Sequence, residues 1–197
     1  MSGSITERAL EENRRARAWY DEHHAYYASL VEDAPPPNRE AALRELVARI
    51  PAGGHVLELG SGTGRDADFV ESLGVHVRRT DVTQGFIDLQ AARGRAVDRL
   101  DLLTDELGGP YDGVFAMCVM LHVTREATDA VLSSIAGALR KGGACLVSVR
   151  AVGDEHATAW DRKAFVARLD AVGLDVVWEA RDFDGDEWLV FVATHRG

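Results

Sequence analysis

The chain has 197 residues, 46% of them hydrophobic, and its 22 Lys and Arg against 32 Asp and Glu give a formal net charge of -10 at pH 7. That length suits one globular domain with a full core and a small appendage, and the negative field repels phosphate backbones and anionic lipid headgroups, so neither nucleic acid nor membrane is an expected partner. The two cysteines, Cys118 and Cys145, lie in apolar runs where a thiol acts as a small core hydrophobe, which predicts no disulfide framework and no metal cluster.

The N-terminal residues MSGSITERALEENRR carry acids where a signal peptide needs an apolar stretch, and no uncharged run approaches a membrane span, so a cytoplasmic location is expected. Residues 1–37 read as an amphipathic helical appendage closed by APPPN, and residues 38–197 as the main domain. REAALRELVARI repeats its apolar positions at helical spacing and stops at PAGG. HVLEL then predicts a first strand, RDADFVESLG a helix, VHVRRTD a second strand and GFIDLQAARG a helix closed by glycine. RAVDRLD predicts a third strand, YDGVFAMCVM a fourth, REATDAVLSSIAGALRKGG a long helix and ACLVSVR a fifth strand. After the helix WDRKAFVARLDAVG, two strand-like runs are joined through Asp184-Gly185, a hairpin signal. The expected fold is therefore α/β: a doubly wound, Rossmann-like, mostly parallel sheet with helices on both faces and a C-terminal antiparallel strand.

A glycine-rich turn after the first strand of such a sheet is where nucleotides bind, because small residues let the backbone approach the ligand. Here the turn reads Glu58-x-Gly60-x-Gly62-x-Gly64. The dinucleotide pattern G-x-G-x-x-G fails at Arg65, and the phosphate-loop pattern is absent. An acid two residues before the first glycine suits a cationic ligand better than a pyrophosphate.

VLELGSGTG resembles motif I of the class I S-adenosylmethionine-dependent methyltransferases, and the order of elements from about residue 40 onward agrees with that family. The resemblance implies S-adenosylmethionine as cofactor and S-adenosylhomocysteine as product. It implies Asp81, at the end of the second strand, as the acceptor for both ribose hydroxyls, and Phe86 as the apolar residue near the adenine. It implies Asp101 and Leu102 at the adenine edge, with Asp98 and Asp105 as rival acids, and the backbone of Ala116 and Met117 beside the methionine moiety.

Methyl transfer from a sulfonium needs alignment, exclusion of water and, for a hydroxyl or ammonium acceptor, a base. The segment CVMLHVT lacks the N/D-P-P-Y/F motif of nucleic-acid amino-methylating relatives. No metal is expected, since the fourth and fifth strands end without the carboxylates of catechol-type enzymes, Asp154 and Glu155 being the nearest acids. His122 is the candidate base and His156 competes with it; the bland alternative for His122 is packing or capping at the following helix. Trp19, Tyr20, Tyr26 and Tyr27 are candidate substrate contacts on a lid, or else a docking stripe, since Trp19, Tyr26 and Leu30 recur at helical spacing. The expected function is methyl transfer to a small-molecule, natural-product or peptide acceptor by a monomer or homodimer. The alternatives are a cofactor-binding regulator of the same fold, or an enzyme catalysing cyclisation or decarboxylation.

Overall fold

The computed structural model describes residues 5–152, 158–181 and 187–197. Among the described residues seven strands form one sheet in the order β3-β2-β1-β4-β5-β7-β6. The strands are β1 (His55–Leu59), β2 (His76–Asp81), β3 (Asp98–Arg99), β4 (Tyr111–Ala116), β5 (Leu139–Arg150), β6 (Leu174–Arg181) and β7 (Trp188–His195). β1 to β5 pair in parallel, and β7 runs antiparallel to both β5 and β6, as the hairpin signal predicts. The residues joining β6 to β7 at Asp184-Gly185 lie outside the described residues. Among the described residues no helix is long and apolar enough to cross a membrane.

Both faces of the sheet are covered, which is why β1 and β4 read as continuous apolar runs and not as alternating ones. On one face Leu57, Leu59, Val114 and Val147 pack under α5 (Thr128–Ala138) and α6 (Arg162–Ala171). On the other, Val56, Phe115 and Leu146 pack under Leu43 and Leu46 of α2 (Pro37–Val47). α2 begins with Pro36 as N-cap and Pro37 at its first position, where the missing N–H costs no helical hydrogen bond.

Three elements are markedly shorter than their sequence signals; the fourth strand ends at Ala116, and Met120–His122 forms a short 3-10 turn in place of its continuation. The third strand is only Asp98–Arg99, because the residues before it are exposed at the sheet edge and only Leu100 turns inward. α5 ends at Ala138, well before the glycines at 142 and 143, because Leu139 is already extended and pairs with Tyr111.

α1 (Glu7–Leu30) starts at Thr6, whose hydroxyl accepts the Ala9 N–H at 3.2 Å. Ala9 is fully buried in the same core as Val123 and Ala127, so the first turn of this helix is part of the core. The remainder crosses the carboxyl ends of the strands and rests on α4 (Gln84–Ala91). Gly85 permits that seat: a Cβ there would lie 2.3 Å from the His24 ring. Asp21 accepts the backbone N–H of Gln84 at 3.0 Å, capping α4 from the neighbouring helix where its own Thr83 makes no side-chain cap.

Candidate active site

The glycine turn leaves β1 with Gly60, Gly62 and Gly64 at φ of 70°, 54° and 82°, a region that favours glycine. Gly60 is also a close approach, since a Cβ there would meet Val119 at 2.5 Å. Gly62 has nothing within 4 Å of that position and faces open space. From behind, Gln90 donates to Ser61 Oγ at 2.9 Å and to the Gly62 carbonyl at 3.0 Å, while accepting from Arg79 at 3.1 Å. Gln90 is fully buried, and the turn is held by its fully partnered amide.

Asp81 ends β2 with its carboxylate facing the turn. One oxygen accepts the Gly62 N–H at 2.8 Å and the other the Thr83 N–H at 2.8 Å. Burial pushes its carboxyl upward, and these two backbone bonds oppose that shift. The carboxylate lines a cavity between the sheet edge and α1, together with Gly60, Gly62, Phe86, Asp101 and Leu102.

Asp101 is thereby singled out from its rivals. Asp98 pairs with Arg78 at 2.7 Å on the exposed edge, and Asp105 folds back onto the Asp101 N–H at 2.8 Å; neither lines the cavity. Asn13 of α1 donates to Asp101 at 3.0 Å. Met117 also lines the cavity, whereas Ala116 and Gly64 are set back from it.

Glu58 corrects an expectation. It sits behind the turn, fully buried and off the cavity wall, and burial raises its carboxyl to about 8. It is mostly protonated at neutral pH, so it cannot supply the negative charge that its place before the glycines suggests.

The aromatic set of α1 divides by face. Tyr20 and Tyr27 line the cavity with Asn13 and Arg17, at helical spacing. Their rings pack on Phe86 at 5.9 and 5.8 Å between centroids. Trp19 and Tyr26 point the other way and are 47% and 63% exposed, so they do not touch the cavity. The Tyr20 hydroxyl is hydrogen-bonded to His122 Nε2 at 3.2 Å. Burial lowers His122 to about 4 and holds the Tyr20 phenol well above its ordinary range, so both are neutral at pH 7. His156, Asp154 and Glu155 lie outside the described residues.

Three cavity features escaped the sequence reading. Arg39 of α2 donates to Asp66 at 2.9 Å and to Cys118 Sγ at 2.9 Å, and Arg65 donates through Nε to the other oxygen of Asp66 at 3.1 Å. Cys118 has φ 57°, the sole positive φ outside glycine among the described residues, and its N–H donates to Ser148 Oγ at 2.8 Å. The signal for Arg65 was present as the residue that broke the dinucleotide pattern; Arg39 reaches the site only through tertiary packing. Among the described residues no group of three or more His, Cys, Asp or Glu could hold a metal ion.

Residues 57–145 match the family model described as Methyltransferase domain. The solved structure of magnesium protoporphyrin IX methyltransferase from Synechocystis PCC 6803, with bound S-adenosylmethionine, superimposes with a TM-score of 0.78 at 16% identity, covering 93% of this chain and 97% of that one. Residues 57–145 thus match a methyltransferase domain, and the chain as a whole has the fold of these enzymes. A TehB-like methyltransferase from Corynebacterium glutamicum shares the methyltransferase fold with a TM-score of 0.65 at 23% identity, covering 94% and 98% of the two chains. The 1,6-didemethyltoxoflavin-N1-methyltransferase of Burkholderia thailandensis, solved with its substrate and S-adenosylhomocysteine, does so with a TM-score of 0.72 at 20% identity, over 92% and 88%. No curated protein matches the sequence significantly. The strand order with its reversed β7, and the glycine turn facing Asp81, are thus features of a methyltransferase domain.

Proposed function

We propose that this methyltransferase binds S-adenosylmethionine in the cavity and transfers its methyl group to a small-molecule acceptor at oxygen or nitrogen. One observation carries the reading: the fixed carboxylate of Asp81 and the open face of Gly62 look into a chamber roofed by the aromatic face of α1. The residues present fit the cofactor. Asp81 is an acceptor for the ribose hydroxyls, Asp101 and the Leu102 backbone serve the adenine edge, and Phe86 supplies an apolar wall. When bound, S-adenosylmethionine supplies an electrophilic methyl group on a good leaving group.

The chain's own work is alignment, exclusion of water and proton handling. Tyr20, Tyr27 and Phe86 close the chamber with apolar ring faces. His122, neutral and joined to the Tyr20 hydroxyl, is the candidate to take a proton from an acceptor O–H or N–H, burial making it a weaker base than a free imidazole. A roofed chamber favours a small molecule over a polymer, and two of the structural neighbours are named for small-molecule acceptors. A tailoring step on a natural product suits such a chamber.

Isothermal calorimetry with S-adenosylhomocysteine and NAD tests the cofactor assignment. Binding of S-adenosylhomocysteine with little binding of NAD is expected; the reverse order overturns it. Release of S-adenosylhomocysteine in the presence of candidate hydroxyl and amine acceptors then tests methyl transfer, and His122→Gln is expected to reduce turnover at least tenfold without weakening S-adenosylhomocysteine, in line with the usual worth of a general base.

A further inference from the structure

The outward side of α1 is a second surface, one that methyl transfer does not use. Arg15, Ala18, Trp19, Glu22, Tyr26 and Leu30 recur at helical spacing and share one face, and all six are exposed. Five large hydrophobic side chains are exposed among the described residues, and three of them, Trp19, Tyr26 and Leu30, stand on this face. Single exposed apolar residues need no explanation, but three on one helical face make a patch of the kind that marks a contact surface.

Trp19 is already held as an anchor. Its ring stacks on His23 at 4.6 Å and 11°, and meets Tyr20 edge-on at 5.0 Å. His23 in turn is tied through Nδ1 to the Trp19 carbonyl at 2.8 Å. An exposed ring braced on two sides has little rotamer freedom left to lose on association. Ala18, Ala25 and Ser29, all exposed beside the large side chains, leave room for the ridges of an opposing helix.

The two ends of the face differ in charge. Arg15 stands at its start and bonds Glu11 through Nε alone, at 3.2 Å, which leaves its terminal amino groups in solvent. Glu32 and Asp33 follow its end, exposed and with no basic partner among the described residues. An anionic lipid surface is the wrong occupant for a face that carries Glu22 and ends in two acids, on a chain of net charge -10. We propose that this face of α1 binds the same face of a second copy of the chain, with the two helices antiparallel. That order sets the basic start of each face beside the acidic end of the other, twice over, whereas a parallel order sets acid against acid. Trp19, Tyr26 and Leu30 then interdigitate about the two-fold axis. Tyr20 and Tyr27 turn away from the seam into each chain's own cavity, so pairing leaves both sites intact. The inference does not depend on which ligand the cavity takes.

A standard interface takes about 800 Å² from each partner. One helical face of about four turns gives less, which sets the expected dissociation constant in the micromolar range. Sedimentation velocity of the full chain, from low to a few hundred micromolar, should show a reversible monomer–dimer equilibrium. Tyr26→Glu and Leu30→Glu are each expected to weaken it at least tenfold, with thermal transitions confirming that the fold is kept. Arg15→Glu alone, and Glu32→Arg combined with Asp33→Arg, should also weaken it, because each variant then meets like charge in its own copy. Mixed in equal amounts, these two variants should pair with each other as tightly as the wild type, and the pairing should loosen as salt is raised. A chain that stays monomeric throughout overturns the inference and leaves the face to a different protein. A dimer that Tyr26→Glu and Leu30→Glu do not weaken lies elsewhere on the molecule and overturns it too. Charge variants that pair as the wild type does, or a mixture that fails to restore pairing, rule out the antiparallel seam.

Discussion

At the scale of single residues, Asp81 and Glu58 are two buried acids with opposite fates. Asp81 receives two backbone N–H bonds and faces the cavity; Glu58 receives none from the backbone and lies behind the turn near Ser61, Asp66 and Arg79, with one oxygen buried and unpartnered. Asp81→Ala is expected to lower S-adenosylhomocysteine affinity by about 1.5–3 kcal/mol, the worth of hydrogen bonds to a charged group, while the thermal transition stays cooperative. Unchanged affinity in a titration contradicts the ribose role. For Glu58 the expectation is a pH effect. Its carboxyl titrates at about 8 when folded against an ordinary 4.5, so the folded chain holds a proton that the unfolded chain releases between those values. Stability attributable to Glu58 is therefore full below about pH 4.5 and falls as pH rises through 8. Glu58→Gln removes that slope, and urea unfolding should find the variant more stable than wild type at pH 8, by on the order of 3 kcal/mol, with the difference shrinking towards about pH 5. A difference that grows on acidification contradicts the burial of a neutral acid. His122 contributes the opposite slope: its value of about 4 lies below the ordinary one for histidine, so its share of stability is lost as pH falls from about 6.5 to 4.

At the scale of elements, α1 does most to shape the site. We propose that residues 1–37 act as a lid, with the difference from a free appendage that the first turn is core: Ala9 is fully buried, and Asn13, Asp21 and His24 fasten the helix along its length. A chain beginning at Asn38 is expected to fold with lowered thermal stability, to bind S-adenosylhomocysteine weakly and to lose acceptor turnover. Full turnover in that chain contradicts the lid. Because the two aromatic faces point in opposite directions, Tyr20→Ala and Tyr27→Ala should cut turnover sharply, whereas Trp19→Ala and Tyr26→Ala should leave it near wild type in the same assay; equal losses at all four positions mean that the rings act through helix stability alone. The sequence showed the helix but not its facing. Charged residues and aromatic rings are spread around its whole circumference, so periodicity alone could not say which of Trp19, Tyr20, Tyr26 and Tyr27 turns inward. β1 and β4 were legible because buried parallel strands are apolar along most of their length, β2, which is mostly polar, was legible from its place between two helical runs, and the two-residue β3 was overdrawn because an exposed edge leaves no such record.

At the scale of the whole molecule, the glycine turn and Asp81 were readable because both belong to one local unit, a strand, a turn and the next strand's end. Arg39 and Arg65 were not readable as a pair, since 26 positions separate them in sequence and only the packing of α2 against α3 (Arg65–Ser72) brings both onto Asp66. The bond from Asn13 to Asp101 has a thermodynamic consequence that runs across the fold. One rigid helix holds the acid assigned to the adenine edge at its first turns and carries Tyr20 and Tyr27 seven and fourteen positions further on. A nucleoside that displaced Asn13 from Asp101 would alter the seating of the same helix that walls the acceptor; the two ligands would then be linked, each changing the other's affinity by one common factor. Titrating acceptor into the protein with and without S-adenosylhomocysteine, and the reverse, measures that factor from both directions. Asn13→Ala, which cuts the connection at its origin, is expected to bring it towards unity while the helix itself stays folded.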